Sequence, residues 1–257
     1  MAIQPLTSLR VLLIGDTCID EYKIGTIDRL SPEAPVPVIK IVEEYSLPGM
    51  ASNVYNNLKN LGLEPDFVHN KEQILKTRYI DKRSGQHLLR VDSEPTISTW
   101  NEYTLYPLEQ YHAVIISDYN KGFLSYETIE NIIRTATGPV FIDTKKTDLQ
   151  RFNGSYVKIN EYEYRSRSSA NDHIIITMGD KGAVLKTPNQ EIFVETKPVD
   201  VVDVCGCGDT FLAALVYKFL ITNDMIQSIK FANIAAGLTV QKQGNYAPTL
   251  EEIENGY

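Results

Sequence analysis

The sequence predicts an α/β fold: one mostly parallel sheet with helices on both faces, and a small second sheet beside it. Three observations lead there. Short β-branched runs recur along the 257 residues, helical patterns lie between them, and two stretches break that rhythm. Strands covered on both faces read as near-continuous apolar runs, which is what a parallel sheet between two helical layers requires.

In chain order, strands are expected in LRVLLIGD at 9–16, HAVIISD at 112–118, GPVFIDT at 138–144, SYVKIN at 155–160 and HIIITMGD at 173–180. A helix is expected from about Ser52 to Leu61, with Val54, Leu58 and Leu61 on one face. Another follows Ser125, whose hydroxyl suits an N-cap, with Ile129, Ile132 and Ile133 inward. Phe211, Leu212, Leu215, Val216, Phe219 and Leu220 give a third helix a wide apolar stripe, and Ile229, Phe231, Ile234, Ala235 and Leu238 carry its successor. The interruptions fall at about 21–49 and 76–94. Pro32, Pro35, Pro37 and Pro48 exclude a helix from the first, while VPVIKIV has strand character; the second reads as a hairpin turning near Ser84 and Gly85. With no internal repeat, low-complexity tract or long linker, a single domain over 1–257 is expected.

A net charge of -8 and a pI near 5.1 argue against a partner recognised through its phosphate backbone, since nucleic-acid affinity rests on clustered Lys and Arg. The start, MAIQPLTSLRVLLIGD, has an apolar run too short to span a bilayer and no small-residue cleavage site, so no membrane partner and a cytoplasmic location are expected. Cys18, Cys205 and Cys207 do not make a disulfide framework and suit a reducing compartment. His69, His87, His112 and His173 have no mutual spacing suited to metal or catalysis.

The stretch richest in chemistry is VVDVCGCGDTFLAAL at 201–215, where an apolar strand gives way to an apolar helix. Zinc at Cys205 and Cys207 would need two further ligands, and no second paired motif supplies them. The dinucleotide fingerprint fails because Phe211 stands where a glycine is required, and no Walker A sequence occurs. What remains is Gly206-Cys207-Gly208-Asp209 at the mouth of a helix. Glycines let backbone N–H groups approach a ligand, and the helix N-terminus adds partial positive charge, so the turn can hold an anion. Asp209 could simply cap the helix. A cap needs no flanking glycines, however, whereas phosphoryl transfer needs both charge-stabilising donors and a carboxylate to take the proton of an attacking hydroxyl.

DVCGCGDT resembles the D-T-x-G-A-G-D signature of the ribokinase-like (PfkB) carbohydrate kinases, and within them the heptose-7-phosphate kinase branch. LIGDTCIDEY, RLSPEAPVPVIKI, PGMASNVYNNLKNLG, KTRYIDKRSGQHLLRVD, ISDYNKGFLS, IDTKKTDLQRFNGSYVKINEYE, TMGDKG and FANIAAGLTVQKQG carry the resemblance in order along most of the chain. It implies a three-layer ribokinase-like fold with the two irregular segments as a β-sheet lid, and an enzyme that moves the γ-phosphoryl of ATP, with Mg²⁺, onto a sugar hydroxyl. It also implies roles. Asp209 is the base, with the N–H groups of Gly206, Cys207 and Gly208 as the anion hole. Asp20, Asn53 and Gly49 belong to the sugar site, and Lys145 meets the phosphates. Asn160 and Glu163 organise Mg²⁺, Glu163 through water. Thr177, Gly179, Gly182 and Asn233 shape the nucleotide cleft. Lys76, Arg78 and Arg90, together in one lid hairpin, could grip a sugar's distal phosphate, although a basic hairpin is also an ordinary solvated face.

Plainer readings stand beside these: Asp20 as a strand-end acid, Asn53 as a helix-start residue, Lys145 beside Lys146 as a wet surface, Glu163 as part of a polar tract. The sequence also departs from the family. Met50 replaces a usual glycine, and Cys205 and Cys207 stand where Thr and Ala are usual. The segments between Val68 and Lys76 and between Tyr164 and His173 are short, and the nucleotidyltransferase domain often fused to this branch is not read in these residues. Such trimming keeps two alternatives open, a kinase for another sugar or sugar phosphate and a non-catalytic sugar- or nucleotide-binding homologue. Strand-like segments with little core around them point to a homodimer joined through the lid.

Overall fold

The computed structural model of the protein describes residues 9–256, so the reading of the first eight residues lies outside it. The chain begins with β1 (Val11–Gly15), β2 (Thr17–Leu30), β3 (Pro37–Met50), α1 (Ala51–Asn60), β4 (Asp66–His69), β5 (Leu75–Asp81) and β6 (His87–Ser93). It continues with β7 (Ala113–Asp118), α2 (Tyr126–Thr135), β8 (Val140–Thr144), β9 (Tyr156–Asn160), α3 (Glu161–Ser166), β10 (Ile174–Thr177), β11 (Ala183–Lys186) and β12 (Glu191–Val194). Three helices close it: α4 (Cys207–Thr222), α5 (Met225–Val240) and α6 (Leu250–Asn255).

The main sheet has eight strands in the order β12-β11-β10-β9-β8-β7-β1-β4. From β4 to β10 every pairing is parallel; β11 and β12 add an antiparallel edge. Alternate side chains of β1 serve two cores, as the pleat demands. Val11 and Leu13 pack with Val54, Leu58, Leu212 and Leu215 from the α1 and α4 layer. Leu12 and Ile14 pack with Ile129, Ile132 and Phe152 on the opposite face. The expected three layers are therefore present, and Ser125 caps α2 through its side chain as expected. One expectation fails in form. The helix foreseen with an apolar stripe, α4, is buried without a break from Asp209 to Tyr217, because α1, α5 and the sheet surround it.

The second sheet has four strands in the order β3-β2-β5-β6. β2 and β3 are antiparallel strands of 14 residues each, so strand structure extends through the whole of 17–30 and not only through VPVIKIV. Pro37 and Pro48 are tolerated because β3 is an edge strand and needs fewer ladder donors. β5 and β6 form the foreseen hairpin, with Gly85 at φ 70° in its turn. Along β2 the inward positions are Cys18, Asp20 and Tyr22, which aims an acid from the small sheet back at the main domain.

Candidate active site

The strand ends of the main sheet, the first turn of α4 and the root of the small sheet meet at one place. Gly206 takes the left-handed conformation, φ 73°, that lets the chain turn into α4. A Cβ there would lie 2.6 Å from the Asn53 amide nitrogen and 2.9 Å from Asn245 Oδ1, so only glycine fits. The N–H groups of Gly206 and Gly208 make no hydrogen bond among the described residues, whereas that of Cys207 reaches the Val204 carbonyl at 3.4 Å. Of the three foreseen anion-hole donors, two are free and Cys207 is partly spent on its own turn.

Asp209, in the first turn of α4, is 5% exposed. Asn53 Nδ2 donates to its Oδ2 at 3.1 Å and the Tyr119 hydroxyl donates to its Oδ1 at 2.8 Å. Burial pushes its pKa up to about 6, against the pull of those two hydrogen bonds. Such a carboxyl is poised to take a proton near neutral pH. Tyr119 is itself held by Asp16, which follows β1 and accepts from the Tyr119 backbone N–H at 2.7 Å.

Asp20 lies across from Asn53 and is already partnered. Arg78 donates to its Oδ1 at 2.5 Å, and Asn245 Nδ2 to its Oδ2 at 3.0 Å. A Cβ on Gly49 would come within 2.2 Å of Asp20 Oδ2, so Gly49 makes room for this acid. The lid basic cluster does not converge as expected. Arg78 is buried and committed to Asp20, and Arg90, though opposite Arg78 in register, forks onto Asp92 on an exposed strand. Of these three lid cations, Lys76 alone keeps near the site an ammonium unpaired among the described residues, 5.5 Å from the centre of the Tyr119 ring, which Lys145 also approaches, at 5.3 Å.

On the other side of Gly208 opens a cleft of about 320 Å³ lined by Asn160, Thr177, Gly179, Gly182, Cys207, Gly208 and Asn233, together with apolar Val199, Val204 and Phe211. The structure thus brings the expected nucleotide-cleft residues together. Asn233 reaches it with its amide occupied, donating to the Val194 and Glu195 carbonyls at 3.2 and 3.4 Å. Asn160 and Glu163 form a reciprocal capping box at the start of α3, and Lys145 pairs with Glu163. Both Glu163 oxygens are therefore engaged, and no group of three or more His, Cys, Asp or Glu able to hold a metal occurs among the described residues. The residues would fit Mg²⁺ only as an ion carried by nucleotide phosphates.

Sequence reasoning assigned no role to Tyr119, Asn245, Asp143 or Lys158. Tyr119 and Asp143 sat inside quoted motifs, and Lys158 gave a faint signal as a lysine within an apolar strand run. Asn245, 192 positions after Asn53, gave none.

The pfkB family of carbohydrate kinases matches residues 163–252. The bifunctional protein HldE of Nitratiruptor sp. is 30% identical over 300 aligned positions, which cover 95% of this chain and 64% of the relative. Its counterpart in Pasteurella multocida is 31% identical over 301 positions, covering 96% and 63%. The chain spans less than two thirds of the length of these curated relatives. Since the aligned positions outnumber its own 257 residues, the relatives also carry internal material that it lacks. Among solved structures, the ribokinase of Thermotoga maritima superposes with a TM-score of 0.74 at 17% identity over 96% of this chain and 99% of that one. The phosphofructokinase-2 of Escherichia coli in complex with potassium gives 0.74 at 15% identity over 97% of each chain. At those identities the likeness is one of fold. Among the described residues, no helix is long and apolar enough to cross a membrane.

Proposed function

Because the chain belongs to the pfkB family of carbohydrate kinases, we propose that it transfers the γ-phosphoryl group of ATP to a sugar hydroxyl, with Asp209 as the base. The observation that carries this reading is the Asp209 carboxyl, buried at the mouth of α4 beside two unpaired backbone N–H groups and next to an open cleft. In this reaction the acceptor oxygen bonds to the γ-phosphorus as the bond to the β-phosphate oxygen breaks. The hydroxyl proton passes to Asp209 and ADP leaves. Gly206 and Gly208, with the helix dipole, stabilise the charge on the phosphoryl in flight. Asp20 and Asn53 orient the sugar. Lys145 meets the phosphates, while Thr177, Gly179, Gly182 and Asn233 surround the nucleoside. Mg²⁺, borne by the nucleotide beside Asn160 and Glu163, would neutralise phosphate charge. Asp20, Asn53 and Asp209 are all buried, so acceptor entry requires the site to open, and the small sheet that carries Asp20 is the element assigned to move as a lid.

For the acceptor we propose heptose 7-phosphate, phosphorylated at its anomeric hydroxyl, with Lys76 meeting the distal phosphate. Support comes from the HldE relatives and from the position of Lys76 over Tyr119. A kinase for another sugar is the second reading, favoured by Met50, which holds a glycine-type backbone at φ 55° beside the sugar site. An ADP-release assay decides between them. The panel is D-glycero-β-D-manno-heptose 7-phosphate, heptose, fructose 6-phosphate, fructose and ribose. The proposal expects the first to have the highest kcat/KM and Lys76→Met to lower that value alone; preference for a neutral sugar rejects the acceptor. We further propose a cytoplasmic homodimer joined through the lid, since Ile41, Val42, Leu88, Leu89 and Val91 leave apolar surface exposed there. Sedimentation as a monomer at micromolar concentration, with and without ligands, rejects it.

A further inference from the structure

One buried ion pair beside the base has no part in the scheme above. Lys158 on β9 and Asp143 on β8 are register neighbours, joined at 2.6 Å from Nζ to Oδ2. Both are buried, and their side chains are 6% and 7% exposed. A buried pair of this kind recovers its lost hydration only when its remaining hydrogen-bonding capacity is met. The ammonium has three N–H donors, and Asp143 takes one; no other acceptor meets it among the described residues.

Its position is also wrong for a cation that serves the fold alone. A Cβ on Gly208 would lie 2.9 Å from Lys158 Nζ, so the ammonium abuts the first turn of α4. That is the positive end of a 16-residue helix, where a cation is disfavoured and an anion welcome. The unpaired N–H groups of Gly206 and Gly208 belong to the same turn. Ammonium, helix end and free N–H groups share one sign; Asp143 pairs with the ammonium directly, and the Asp209 and Glu163 carboxylates act on it from further off without a hydrogen bond. Gly208 and Asn160, which follows Lys158 by two residues, both line the nucleotide cleft. An incoming anion at this turn would meet the two remaining Lys158 donors and the two N–H groups together.

Resting on the kinase reading above, we propose that Lys158, carried on Asp143, binds the terminal phosphoryl group of the nucleoside triphosphate at the first turn of α4 and follows it during transfer. The test uses Lys158→Met combined with Asp143→Asn, which removes both charges and leaves neither unpaired. Calorimetric titration with Mg·ATP, ADP and adenosine is the readout. The double variant is expected to lose roughly 10- to 100-fold in ATP affinity, the value of one hydrogen bond to a charged group, with adenosine affinity unchanged and kcat reduced. Lys158→Arg, which keeps the charge, should restore most of the ATP affinity. If the double variant does not fold, Lys158→Gln, which still donates to Asp143, takes its place in the same titrations. ATP binding as tight as wild type, or equal losses for ATP and adenosine, overturns the proposal and leaves the kinase reading intact. A wild-type protein that binds no nucleotide overturns both.

Discussion

Replacing Asp209 by Asn separates what this carboxyl does for chemistry from what it does to stability. Its pKa rises from 3.8 to about 6, chiefly through burial. A difference of that size corresponds to about 3 kcal/mol. The folded state binds the proton more tightly than the unfolded one. The charged carboxylate therefore destabilises the fold fully above pH 6, less as the pH falls through 6, and not at all below the unfolded value. Asn carries no charge at any pH. It keeps a single acceptor oxygen for two donors, Tyr119 and Asn53, so one hydrogen bond worth about 1 kcal/mol is lost. The variant should then be more stable than wild type by about 2 kcal/mol well above pH 6 and no more stable near pH 4. Urea denaturation at the two pH values measures this. Activity should move the other way, with kcat down by about 10² to 10⁴. A stability change equal at both pH values, or a variant with near-wild-type kcat, would refute the assignment.

Three further outcomes follow from the same geometry. The kcat/KM of the wild-type enzyme should rise about tenfold per pH unit up to the Asp209 pKa of about 6 and level off above it; a profile flat from pH 5 to 8 contradicts a base at this position. Gly206→Ala puts a methyl group 2.6 Å from the Asn53 amide at a φ of 73°, and should cost about 1 to 3 kcal/mol together with most of the activity. Melting curves and kcat report on it, and an unchanged Tm would show that the turn is not held as described. Arg78→Ala strands the buried Asp20 carboxylate and should destabilise by about 3 to 5 kcal/mol whatever the acceptor; denaturation without ligand checks this, and a loss below 1 kcal/mol would mean that the pair is solvated.

The main sheet was legible because strands such as VLLIG and VFIDT are buried on both faces and carry an uninterrupted signal. β2 was harder to see. Its inward set of Cys18, Asp20 and Tyr22 includes an acid, which hides the two-residue alternation unless its partner Arg78, 58 positions away, is already known. Asp209 stood out because glycines flank it in sequence. Lys158 and Asp143 act as a unit only through the β8 and β9 register, and Tyr119 only through a loop propped on Asp16, so no local pattern announces either. The lid arginines were misjudged for a related reason. Strand alternation gives the side of the sheet, but not the carboxylate that claims each guanidinium first.

Every residue role assigned above depends on phosphoryl transfer to a sugar. ATP labelled at the γ-phosphate, Mg²⁺ and the sugar panel are incubated with wild-type protein and with Asp209→Asn, and the products are separated. Label is expected on at least one sugar, in amounts matching the ADP formed, with at least about a hundredfold less label from the variant, which still binds ATP. Label appearing only as inorganic phosphate, or passing to sugar equally well with Asp209→Asn, would contradict these roles.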